Sequence, residues 1–143
     1  MTVLTRYRLD VRFSDCDPFG HVNNAKYLTY LEQARIDLWR RQLGWLAGER
    51  RPDGRRGHAF ILARAEIDFR AQARYGDTLE VRLGLGKFGR TSLGYEYEVV
   101  RVADEQVVAA AKTVQVWFDY DANTPTPFAD DVKLKLSTPV TSA

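Results

Sequence analysis

Residues 15–21 hold two aspartates, a cysteine and a histidine, and Asn23 and Asn24 follow directly. Pro18 and Gly20 force a turn immediately after Asp17, so its carboxylate can meet the free N–H groups of a helix opening near Asn24. A carboxylate beside such a helix end can attack a carbonyl, or activate water against it, while the N–H groups hold the oxyanion. The same residues also serve plain structure. An aspartate next to Pro and Gly closes turns, Asn23 or Asn24 can cap a helix, and His21 can sit satisfied in a core. Cys16 lies between two carboxylates, which raise a thiol's pKa and suppress the reactive thiolate, so it reads as a small buried filler.

The rest of the chain narrows the chemistry. Histidine occurs only as His21 and His58, with one cysteine, so zinc-finger and H-E-x-x-H spacings are missing and no metal site is expected. No G-x-S-x-G elbow is present, and Ser14 and Ser92 have no triad context. The run GLGKFG at 84–89 lies between strand patterns with no helix after it, which makes it a hairpin and not a phosphate loop. One carboxylate and backbone N–H groups remain. Amide and ester leaving groups need a strong acid to protonate them, whereas a thiolate, whose thiol has a pKa of about 8.5, departs unaided. An oxyanion donor contributes roughly 3 kcal/mol, so this sparse inventory matches thioester cleavage.

These residues must be held by regular elements. Tyr7, Leu9, Val11 and Phe13 alternate with charged residues over 5–13, predicting a half-buried strand that ends near Pro18. Tyr27, Leu31, Ala34 and Leu38 recur at helical spacing from about Asn24, with Gly44 as the left-handed stop. RRPDGRRG, with Arg50, Arg51, Arg55 and Arg56, has loop composition; its arginines are either hydrated or hold phosphates. Period-two patterns then predict strands over 61–69, 79–85 and 93–99. A fourth, from Val107 to Tyr120, is apolar on both faces and is therefore expected inside the sheet. The tail beyond about 122 carries Pro125, Pro127 and Pro139 and is expected to be poorly ordered.

One strand, one long helix and four strands give an α+β fold with a single helix against a curled, mainly antiparallel five-stranded sheet. Such a sheet leaves an edge and a far face uncovered, which points to a homodimer or homotetramer. With 143 residues and 45% hydrophobic content, one domain over 1–143 is expected. A net charge of +2 implies no strong generic attraction to nucleic acid or to membranes, so a small molecule is the expected partner. The charged start lacks the apolar stretch of a signal peptide, and a lone cysteine suits a reducing compartment; the expected address is cytoplasmic.

RFSDCDPFGHVNNAKYLTYLEQAR, residues 12–35, resembles the signature of hotdog-fold acyl-CoA thioesterases of the 4-hydroxybenzoyl-CoA thioesterase class. That pattern is an aspartate, a Gly-His-Val-Asn-Asn turn and a Tyr-rich central helix ending in Glu-x-x-Arg. The resemblance implies the hotdog fold and hydrolysis of an acyl-CoA to free acid and coenzyme A, with no separate cofactor. It makes Asp17 the catalytic carboxylate, as nucleophile or general base, and puts the Asn24 N–H in the oxyanion hole, with His21 and Asn23 shaping the turn. Tyr27 and Glu32 would line the acyl pocket or tie helix to loop. Arg90, Thr91 and Ser92 would contact the pantetheine arm and nucleotide across a dimer interface. The other reading is a hotdog protein that binds an acyl thioester or acyl carrier without hydrolysing it.

Overall fold

The computed structural model describes residues 1–44 and 52–140. The elements run β1 (Thr2–Asp10), α1 (Asn24–Leu43), β2 (His58–Phe69), β3 (Thr78–Phe88), β4 (Ser92–Arg101), β5 (Gln106–Asp119), β6 (Thr124–Pro125) and α2 (Asp130–Leu136). All pairings are antiparallel, in the order β1-β3-β4-β5-β2, and two-residue β6 pairs with β5 as a sixth strand beyond the five expected. β6 fits where β4 has ended: β4 pairs with β5 only as far as Val116, and β6 takes Phe118 and Asp119.

α1 buries Tyr27, Tyr30, Leu31, Ala34, Leu38 and Trp39 against the concave face. That stripe was legible in the spacing, as were both ends. The Asn23 side chain accepts from the Ala25 N–H at 3.0 Å, and Gly44 closes the helix at φ +79°. Under the helix lie Leu79, Val81 and Leu83 from β3, Leu93, Tyr95, Tyr97 and Val99 from β4, and Val108 and Ala109 from β5, all buried. β5 has neighbours on both sides, so its two apolar faces follow from an interior position. Among the described residues β2 pairs only with β5 and Ile61 to Glu66 are exposed on both faces, so its long edge is open; β1 is the edge strand at the other end of the sheet.

Two expectations change. β1 stops at Asp10 and not near Pro18, because the chain turns into a 3-10 segment over Phe13–Asp15, which leaves Phe13 exposed. The described residues beyond 122, as far as 140, are docked. Phe128 stacks on Trp117 at 5.7 Å, Leu136 is fully buried, and Gln42 donates from α1 to the carbonyls of Leu136 (3.1 Å) and Thr138 (2.9 Å). The prolines precede or follow α2 without entering it, so apolar Phe128, Val132 and Leu136 can still pack on the core. Among the described residues no helix is long and apolar enough to cross a membrane.

Candidate active site

The motif folds as a narrow hairpin leading into α1. Cys16 and Val22 bridge its base, and the Asp17 N–H donates to the His21 carbonyl at 2.9 Å. Gly20, at φ +88°, closes the tip and donates its N–H to the Asp17 carbonyl at 3.0 Å; only glycine takes that conformation without strain. The Asp17 carboxylate is partly exposed. One oxygen accepts the Phe19 N–H at 2.9 Å and the other lies 3.3 Å from His21 Nδ1. Its donors thus come from the turn and not from α1: the carboxylate closes the turn and does not make the expected contact with the helix N–H groups.

The helix end is prepared by its neighbours. The Asn23 N–H donates to the Asp15 carbonyl at 2.9 Å, its side chain takes the Ala25 N–H, and its carbonyl takes the Lys26 N–H at 2.8 Å. The Asn24 N–H, first in the helix, has no acceptor within α1 and is the donor left for an incoming oxygen. Beside it opens a cleft of about 370 Å³ lined by His21, Val22, Asn24, Tyr27, Phe69, Arg70, Ala71 and Gln72. Tyr27 packs edge-on to Phe69 at 5.4 Å, and burial pushes its phenol pKa up. Asp17 itself does not line the cleft; its carboxylate lies 3.3 Å from the imidazole of His21, which does.

Asp15 holds the turn. It is buried and accepts from Tyr30 Oη at 2.9 Å, from the Arg12 N–H at 3.0 Å and from Arg12 Nη2 at 2.9 Å. Burial acts to raise its pKa, but the Arg12 and Tyr30 hydrogen bonds outweigh it and hold the carboxyl below the usual range. Burial and that same carboxylate push the Tyr30 phenol far upward, so it stays a donor. Sequence reasoning missed Asp15; the i, i+3 spacing of Arg12 and Asp15 was the available signal. Cys16 is only partly buried, with Sγ 3.7 Å from the Arg12 carbonyl oxygen.

The other expected site residues lie elsewhere in a single chain. Glu32 is exposed two turns into α1 and does not line the cleft. Arg90, Thr91 and Ser92 occupy the β3–β4 hairpin. Ser92 pairs with Val116, itself opposite Ile61, whereas Phe69 at the cleft pairs with Ala109, opposite Val99. Ser92 and Val99 are thus roughly 24 Å apart at ~3.4 Å per strand residue. Arg50 and Arg51 lie outside the described residues, and Arg55 and Arg56 are exposed. No group of three or more His, Cys, Asp or Glu among the described residues is arranged to hold a metal ion.

A long helix wrapped by a curled antiparallel sheet is the hotdog architecture. Residues 11–136 match the thioesterase-like superfamily, and the chain belongs to that family. It is 28% identical over 132 residues to the long-chain acyl-CoA thioesterase FadM of Escherichia coli, covering 90% of this chain and 94% of FadM. Against the acyl-acyl carrier protein thioesterase ATL3 of Arabidopsis thaliana it is 24% identical over 83% of this chain, and spans 60% of ATL3's length. A thioesterase from Thermus thermophilus, solved with coenzyme A and Zn, superposes with a TM-score of 0.75 at 32% identity, covering 94% of this chain and 98% of that one.

Proposed function

We propose that this protein hydrolyses acyl-CoA thioesters, with Asp17 as the catalytic carboxylate and the Asn24 N–H in the oxyanion hole. The observation that carries the reading is the Asp17–His21 turn beside the open N–H at the head of α1, with the cleft at their side. Placed there, a thioester carbonyl has its oxygen on Asn24 and its carbon open to attack. As a nucleophile, Asp17 forms a mixed anhydride and releases coenzyme A as thiolate, and water then cleaves the anhydride. As a base, it takes a proton from water, which attacks directly. Either course ends in free acid and coenzyme A, needs no group beyond the substrate, and uses His21 to orient the carboxylate.

The open β2 edge supports a two-fold pairing of two chains through their β2 strands. Antiparallel pairing there brings the hairpin end of one sheet toward the cleft end of the other. Arg90, Thr91 and Ser92 then serve the second copy's coenzyme A. Acyl-CoA named for FadM and coenzyme A bound to the Thermus protein support the substrate class. A cytoplasmic address, where acyl-CoA is made and thiols stay reduced, fits the single Cys16.

Incubation with a panel of acyl-CoAs, read by released thiol, tests the reading. Turnover well above buffer on at least one acyl group is expected. Saturable binding without thiol release on any of them would instead establish a non-hydrolytic acyl-thioester binder.

A further inference from the structure

Arg35 is only 4% exposed, on the face of α1 turned to the sheet, and among the described residues its side-chain hydrogen bond runs from Nη1 to the Tyr97 hydroxyl at 3.3 Å. No carboxylate lies within ion-pair distance of it among the described residues. Gln42 Oε1 is the one fully enclosed side-chain polar atom left without a partner among those residues, so the remaining guanidinium N–H groups open on Arg35's small exposed remainder. A cation removed from water beside a neutral hydroxyl is costly unless a counter-charge arrives.

Three residues before it stands Glu32, exposed and in no ion pair among the described residues. Spacing of three lets such a pair meet on one helix, yet these two do not. At about 100° per residue, Leu28, Glu32, Arg35 and Trp39 fall on one flank of α1. That flank looks toward β2: Trp39 stacks on Phe60 at 4.6 Å, and Tyr97, beneath Arg35, shares a sheet row with Ala111 and Ile67. Around it uncovered apolar side chains gather from both elements: Leu28 of α1 is 42% exposed, and Leu62 and Phe69 of β2 are 44% and 47% exposed. A two-fold interface must carry its own complement. This flank carries an unmatched cation and an unmatched anion one turn apart, as two antiparallel copies of the helix require.

We infer that Glu32 of a second copy supplies the missing counter-charge of Arg35, so that two reciprocal Glu32–Arg35 pairs lock α1 against α1 across the dyad. The inference rests on the β2-edge pairing proposed above and adds the residues that fix its register.

Glu32→Arg places like charges at both contacts, and Arg35→Glu does the same with the opposite sign. Each variant alone should dimerise at least about tenfold more weakly than wild type in sedimentation, while an equimolar mixture forms a heterodimer of near wild-type affinity. Pairing within one chain gives no such rescue. Should Arg35→Glu fail to fold by circular dichroism, Glu32→Gln, Arg35→Gln and their double variant replace it. The double variant is then expected to dimerise no more weakly than the weaker single. Wild-type dimer affinity in folded Glu32→Arg overturns the pair while leaving edge pairing intact. A monomeric wild type overturns both. Unchanged dimer affinity in Arg35→Gln with lost turnover only on acyl groups bearing a carboxylate assigns Arg35 to substrate instead.

Discussion

At the residue scale, two neighbouring aspartates divide the labour. Asp17 stays partly exposed with oxygens held by Phe19 N–H and His21, whereas Asp15 is buried and ties the 3-10 turn to Arg12 and to Tyr30 of α1. The folded-state pKa of Asp15 lies below its unfolded value of about 3.9. Its contribution to stability is therefore fully present above that unfolded value and is lost as pH falls through the folded one. Asp15→Asn should cost about 1–3 kcal/mol near neutral pH, because a buried acceptor for Tyr30 and Arg12 is weakened. Urea unfolding at several pH values checks this: the gap to wild type should narrow below about pH 4, and a gap independent of pH would contradict it. The turn at Asp17 was legible because Pro18 and Gly20 announce it. Asp15 was only half so: its i, i+3 spacing from Arg12 is local, but its burial and its bond to Tyr30, fifteen residues away, leave no mark on spacing.

At the element scale, period and caps carried the reading. The 3.6-residue stripe from Tyr27 to Leu38, Asn23 before it and Gly44 after it set the bounds of α1 within a residue, and alternation found each long strand. Failures came where a contact distant in sequence decided the outcome. The segment after 122 is short and proline-flanked, and contacts distant in sequence, with Phe60, Phe88 and Trp117 on Phe128, Gln42 on α2 and Leu4 on Val140, make it a docked element. Leu136→Ala should cost about 2–4 kcal/mol, lowering the melting temperature by roughly 8 °C. A thermal melt indistinguishable from wild type would mean that α2 adds nothing to the core.

At the scale of the whole molecule, the sheet serves the site by giving α1 a floor and leaving β2 open. Tyr95 and Tyr97, fully enclosed beneath the helix, bond Trp39 at 2.8 Å and Arg35 at 3.3 Å, which fixes the rotation of α1 and hence the direction of the Asn24 N–H. Sequence alone conveyed that an edge and a face were uncovered. It did not convey that Arg90 to Ser92 and the cleft lie at opposite ends of the sheet, because strand order is a property of pairing and not of pattern. The central claim concerns one carboxylate, and Asp17→Asn isolates it: shape and hydrogen-bonding capacity stay while the negative charge goes. With folding and oligomeric state matched to wild type, thiol release from the best acyl-CoA of the panel should fall by at least about a hundredfold, ~2.7 kcal/mol of transition-state stabilisation; turnover within a few-fold of wild type would contradict the account.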